Sequence, residues 1–429
     1  MKWKNALGIT VSITLLVLVS AALLTAWGDS AQPAPAAFAT PTLSDNPGSQ
    51  SVSNGIAELS GDTFARDQSV FEEEEGSDDG LGPVYNARSC VDCHQNPVTG
   101  GVSQVTELRA GHYDRHGHFV NPTTFIKDGQ SSIANRSLIN DRAVCPEAQE
   151  RVPWTEYVRT LRLSLNTLGD GFVEAIADST LQMIAQQQRQ LSGGRIAGEY
   201  IEVPVLEAPG QTRVGRFGWK DQHGSLLSFA SDAYLNEQGV SNRLNPVDTT
   251  SVCKTDSDVE DSQDDVGMAD IDHFAQFMRA TQAPPPDHTL MATAGAQAGM
   301  GLFAQIGCAL CHVPTITTAP AGTVINGGAF TVPVGLGNMV IHPYSDFLLH
   351  NIGTGDGIQQ NGPADTTFKL RTPPLWGLRT HTRLMHDGAS TSTLDAIERH
   401  RGEADSVVRR FRELNRDQQI EILTFLRAL

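Results

Sequence analysis

The chain has 429 residues, of which 39% are hydrophobic and 19% charged. That balance argues against wholesale disorder. The 31 Lys+Arg against 49 Asp+Glu, a net charge of −18, argue against a nucleic-acid binder, which needs a basic face.

Lys2 and Lys4 precede an apolar run from about Ala6 to Leu24, followed by Ala26, Trp27 and Gly28. This reads as an export signal cut after Gly28, residues 1–28, with an uncleaved membrane anchor as the alternative. Either places the body outside the cytoplasm, in the periplasm. Residues 29–54 are rich in Ala, Pro, Ser and Gly and read as a flexible linker. Helical segments are expected near Ser179–Leu191 and Ser225–Tyr234, and a short strand from Glu199 to Leu206. Two acidic stretches, Glu72 to Asp79 and Asp256 to Asp272, read as solvated surface. Ile271, Phe274, Ala275 and Met278 share one helix face, and Pro284 to Pro286 stop that helix. The prolines are the best internal boundary, dividing residues 55–285 from 286–429. A helix from about Asp287 to Gln305 carries Gly295, Ala298 and Gly299, small enough to let another helix cross closely. Ser392 caps a helix bearing Leu394, Ile397 and His400. Ile422, Phe425, Leu426 and Leu429 form the stripe of a terminal helix.

Two motifs carry chemistry. Cys90, Cys93 and His94 form C-x-x-C-H, and Cys308, Cys311 and His312 form a second. Two thiols at this spacing can add across the vinyl groups of one haem, with the adjacent His as proximal iron ligand. A zinc site and a dithiol redox pair compete for either motif alone. Two motifs behind an export signal favour two covalently bound haem c groups. Cys145 and Cys253 remain; in an oxidising compartment they pair, with two free thiols as the alternative. The sixth position of each iron then decides between electron transfer and reaction with peroxide or oxygen.

From about Gly55 to Leu429 the chain resembles the bacterial di-haem cytochrome c peroxidase superfamily. The matching pieces are the two C-x-x-C-H sites, Arg371 to Leu375, and Met385 to Gly388 followed by a helix. Leu81 to Asn86, Gly169 to Ile176 and Gly215 to Lys220 point to its "di-haem oxidoreductase, putative peroxidase" branch. The resemblance implies a mainly α fold of two cytochrome c-like haem domains, with a loop-rich elaboration in the first. It implies His400 as the distal ligand of the C-terminal haem, with Met385 and Met339 as runners-up. It implies Glu174 as acid–base carboxylate and Gln222 as a lining residue at the N-terminal haem. That haem's sixth ligand stays open, with His112, His116, His118 and His223 as candidates. Trp219 and Trp376 are candidates to sit between or beside the haems. Relatives hold Ca2+ between the domains, although no carboxylate cluster here selects a site. The implied activity is reduction of hydrogen peroxide or another small oxidant. Electrons from a small cytochrome c or cupredoxin would pass from the C-terminal to the N-terminal haem. An electron-transfer cytochrome, or an oxidase acting on another protein, is the alternative.

Overall fold

The computed structural model describes Ile56 and residues 63–429, apart from 127–131, 135 and 255–259. The expected signal, the linker and part of the second acidic stretch lie outside the described residues. No helix among the described residues is long and apolar enough to cross a membrane.

The helices form where apolar residues recur at helical spacing. They are α1 (Phe64–Glu72), α2 (Asp170–Glu174), α3 (Asp178–Ser192), α4 (Leu226–Ala233) and α5 (Asp270–Ala280) before the prolines. After them come α6 (His288–Met291), α7 (Ala294–Ile306), α8 (Thr393–Arg399), α9 (Asp405–Glu413) and α10 (Arg416–Ala428). Polar residues begin many of them. Thr63, Ser225, Thr293, Ser392 and Asn415 each accept a hydrogen bond from a first-turn main-chain N–H. The four α5 positions expected to face inward are all buried. The expected segment from Asp287 to Gln305 is broken into α6 and α7, with Thr293 capping the second.

The expectation of a mainly α fold is overturned. Helix makes up only 34% of the described residues and strand 15%. The described residues hold one four-stranded sheet and six two-stranded ribbons. In the sheet, β1 (Thr106–Tyr113) pairs antiparallel with β2 (Phe119–Val120) and β3 (Leu138–Ile139) on one edge and β4 (Val158–Leu163) on the other. Most ribbon strands are two residues long. So short a strand leaves no period-two pattern to read, and the 40 Gly and 22 Pro interrupt helices without announcing what replaces them.

Two of the four hydrophobic clusters among the described residues hold most of the core. The larger gathers α1, α3, α4 and α5 through residues such as Phe71, Leu181, Phe274 and Phe277. Residues beyond the second motif join it: Val313, Ile316, Val332, Leu336, Phe347 and Leu348. The smaller holds Phe303, Val407, Phe411, Ile422, Phe425 and Leu426 of α7, α9 and α10. The described residues therefore belong to one compact unit. The prolines end a helix, but the chain after them returns to the first core.

Gly299 is where α7 meets α10. A Cβ there would collide with the Glu421 carbonyl, whereas one at Gly295 meets open space. Gly299→Ala is expected to destabilise the fold by about 1–3 kcal/mol through overpacking. Gly295→Ala is expected to be neutral or to stabilise by up to about 1 kcal/mol. Thermal unfolding of the two variants checks the contrast.

Candidate haem-binding sites

Cys90–Asp92 form a tight helical turn in which the His94 N–H donates to the Cys90 carbonyl at 3.0 Å. Cys90, Cys93 and His94 all line one cavity of about 410 Å³. His94 is oriented by Nδ1, which lies 3.2 Å from the Gly101 carbonyl oxygen. A carbonyl only accepts, so Nδ1 carries the proton and Nε2 keeps its lone pair. A Cβ at Gly101 would collide with the Asn96 carbonyl, which is why this turn needs glycine. Phe71 packs edge-on against the imidazole, ring centroids 6.3 Å apart. Burial holds His94 below its ordinary value, so it is neutral.

The second motif repeats the arrangement. The His312 N–H donates to the Cys308 carbonyl at 3.0 Å, and its Nδ1 to the Tyr344 carbonyl at 3.0 Å. Cys308, Cys311 and His312 line a cavity of about 590 Å³. His400 closes α8 and faces the same cavity. Its Nδ1 donates to the Ala396 carbonyl at 2.7 Å, again leaving Nε2 free. The His312 and His400 ring centroids are 6.5 Å apart. With metal–imidazole bonds of about 2 Å, that separation accommodates one metal ion between the rings. Burial pushes His312 down to about 4 and lowers His400, so both are neutral donors.

These residues fit a haem. Each thiol pair and its imidazole open onto a cavity within the roughly 300–1,000 Å³ usual for cofactor sites. A structural zinc or a dithiol pair would need no such space.

The cavities share a wall. Leu163, Ser164, Leu165, Trp219 and Arg371 line both. Trp219 Nε1 donates to the Leu163 carbonyl at 2.8 Å, and the Leu163 N–H donates to the His386 carbonyl at 2.8 Å. Trp219 is thus fixed between the two sites. Trp376 is buried in the larger core and lines neither cavity.

Other residues singled out in the sequence fall elsewhere. Gln222 lines the first cavity. Glu174 does not. It is fully buried, held by Arg279 Nε at 2.7 Å, Arg279 Nη2 at 3.0 Å, Asn326 Nδ2 at 2.9 Å and the Leu226 N–H at 2.8 Å. Burial pushes its carboxyl up, but Arg279 outweighs that and holds it below the usual range. The carboxyl of the same helix that lines the first cavity is Asp170, raised to about 8 by burial. His112, His116, His118 and His223 are all absent from the walls of the first cavity. His112 binds Glu156 at 2.7 Å and His223 lies 3.2 Å from Asp232. Met385 lines the second cavity; Met339 packs against the larger core. Cys145 and Cys253 are joined by a disulfide.

Sequence reasoning missed three features. His350 sits between Asp346, at 2.8 Å, and Glu403, at 3.0 Å, on the second cavity. His381 and His386 also line that cavity. Glu107 and Glu237 line the first. His386 lies within the Met385 to Gly388 motif, and the others belong to no local motif, because each reaches its cavity through long-range packing. Two groups of potential metal ligands occur among the described residues, Cys145–Glu147–Cys253 and Cys311–Asp346–His350. Both include cysteine, so neither is the all-oxygen set calcium prefers.

Residues 150–429 match the family described as "Di-haem oxidoreductase, putative peroxidase". The match covers more than half the chain, and the protein belongs to that family. It is a di-haem oxidoreductase. No curated protein matches the chain. Among solved structures, it is similar to hydrazine synthase of Kuenenia stuttgartiensis, at 12% identity and a TM-score of 0.35, covering 93% of this chain and 100% of that one. It is also similar to a MauG-like protein associated with microbial copper homeostasis, at 21% identity and a TM-score of 0.26, covering 37% and 52%. Likenesses this distant carry no functional argument.

Glu174→Ala should destabilise the protein by about 3–5 kcal/mol, because it deprives a buried guanidinium of its carboxylate. The Glu174 carboxyl is depressed in the fold, so its contribution is present above the ordinary carboxylate range. It is lost as pH falls through the folded value. Urea unfolding of wild type and variant across acidic pH measures both. His400→Ala should convert one haem from low to high spin while both haems stay attached, as read by electron paramagnetic resonance and by haem content after denaturation.

Proposed function

We propose that the protein is a periplasmic di-haem c-type peroxidase that reduces hydrogen peroxide with electrons from a small donor protein. One observation carries this reading. The second cavity sets His400 opposite His312, whereas among the described residues the wall of the first holds His94 as its only histidine. Two imidazoles make a saturated, electron-relaying iron; a single one leaves a position for a small oxidant.

Other lining groups support the asymmetry. Tyr234 and Met278 also line the first cavity. The Tyr234 hydroxyl is engaged by Glu75 and Asp270, each at 2.9 Å, and Met278 packs in the larger core. Cys90 and Cys93 would hold the first haem by thioether bonds with His94 on its iron. Cys308 and Cys311 would hold the second, with His312 and His400 on its iron. The haems, when bound, supply electron transfer from the C-terminal to the N-terminal site and the reduction of peroxide at the latter. The protein's own part is to fix the imidazole tautomers, exclude bulk water and hold protons near the first site. The donor is a small cytochrome c or cupredoxin, and a basic face on it suits the net charge of −18.

Electron paramagnetic resonance of the ferric and half-reduced holoprotein, with and without peroxide, tests the reading. One signal should be low-spin throughout. The other should be high-spin, or become so on partial reduction, and change on adding peroxide while a reduced donor is oxidised. Two signals that stay low-spin in every state, with no peroxide consumed, would instead make the protein an electron-transfer cytochrome.

A further inference from the structure

Glu107 and Glu237 reach the first cavity from distant parts of the chain. Glu107 is the second residue of β1. Glu237 lies in a π-helical turn, Tyr234–Gln238, that continues α4. Such turns are rare and recur at functional sites. This one places Tyr234, Asn236, Glu237 and Gln238 on the cavity wall.

The two carboxyl groups hydrogen-bond to each other. Two carboxylates only accept, so this bond requires one member to be a carboxylic acid. The partners decide which. Arg109 forks onto Glu107, Nε to Oε1 at 2.6 Å and Nη2 to Oε2 at 2.8 Å. Glu237 Oε2 instead accepts from the neutral Asn86 amide at 2.7 Å. A guanidinium favours the anion beside it, so Glu107 is the carboxylate and Glu237 the acid.

We propose that Glu107 and Glu237 share one proton and form the acid–base pair of the first haem cavity. An acid and a carboxylate in contact can give a proton to one oxygen and take one from another. Burial, then the Glu107 charge, raises Glu237 to about 8. Burial pushes Glu107 up too, but Arg109 outweighs it and holds it below the usual range. The other charged groups around the pair are Arg136, Arg162 and Asp232, on three different segments of the wall. Arg109 and Arg162 favour the carboxylate on Glu107, while burial and the Glu107 charge keep the shared proton on Glu237 until pH rises above neutrality. The pair titrates as a unit.

The inference rests on the peroxidase reading. Hydrogen peroxide, two electrons and two protons give two water molecules. The O–O bond breaks. The pair takes the proton from one peroxide oxygen and delivers it to the other, which leaves as water. The remaining oxygen takes two protons from solvent and two electrons from the donor protein and leaves as the second water.

Infrared difference spectroscopy of the ferric holoprotein, titrated from neutral to alkaline pH, tests the shared proton. A carboxylic-acid C=O band should disappear near pH 8. It should be missing in Glu237→Gln and persist in Asp170→Asn, whose own acid also titrates near 8. Stopped-flow mixing with peroxide tests the role. Glu237→Gln should slow the reaction by about 100-fold or more, with haem content and ferric spectrum unchanged. Glu107→Gln should do the same. A band unaltered in Glu237→Gln, or a peroxide rate unaltered in both variants, overturns the proposal. Wild-type protein that shows the band but ignores peroxide would sink the peroxidase reading and leave the shared proton standing.

Discussion

A single kind of hydrogen bond underlies both sites: imidazole Nδ1–H to a main-chain carbonyl. His94 makes it to Gly101, His312 to Tyr344 and His400 to Ala396. A backbone acceptor fixes the tautomer and the ring plane, and leaves Nε2 as the donor to a metal. Much else follows from supplying these three carbonyls. A glycine turn presents the first. Tyr344 presents the second with a left-handed backbone, φ 49°, its ring packed against Phe425 and Phe303. The last turn of α8 presents the third.

So little regular structure needs another source of rigidity, and buried ion pairs supply it. Arg279 and Glu174 tie α5 to α2. Arg162 and Lys220 both reach Asp356, joining β4 to segments remote in sequence, with all three side chains almost fully buried. Arg213 and Arg216 converge on Asp178 at the start of α3. Such pairs add little net stability over apolar packing, but removing one partner is costly. They therefore pin loops to one arrangement, which is what two cavities built mainly from loops require.

The cavities differ in what they can hold besides a cofactor. The second is rich in imidazole, with His312, His350, His381, His386 and His400 on its wall. The first is rich in carboxyl and guanidinium groups, with Glu107, Asp170, Glu237, Arg109, Arg136 and Arg162. Imidazoles saturate an iron; carboxyl groups of shifted acidity move protons. The shared Trp219 and Arg371 place these two chemistries side by side.

The sequence determined what is local. The two C-x-x-C-H motifs, the α5 stripe, the Ser392 cap and the terminal helix are each contained within a few turns of chain, so spacing alone discloses them. The family resemblance, and not periodicity, pointed to His400, which the structure places on the second cavity beside His312. The tertiary structure decided the rest. It turned Glu174 inward, where the Arg279 guanidinium holds its carboxylate, and left Asp170, one helical turn earlier, facing the cavity. It broke the expected α fold into ribbons too short to leave a pattern. It also brought Glu107 and Glu237 together across 130 positions of chain, since hydrogen bonds between side chains depend on distance in space and leave no spacing to read.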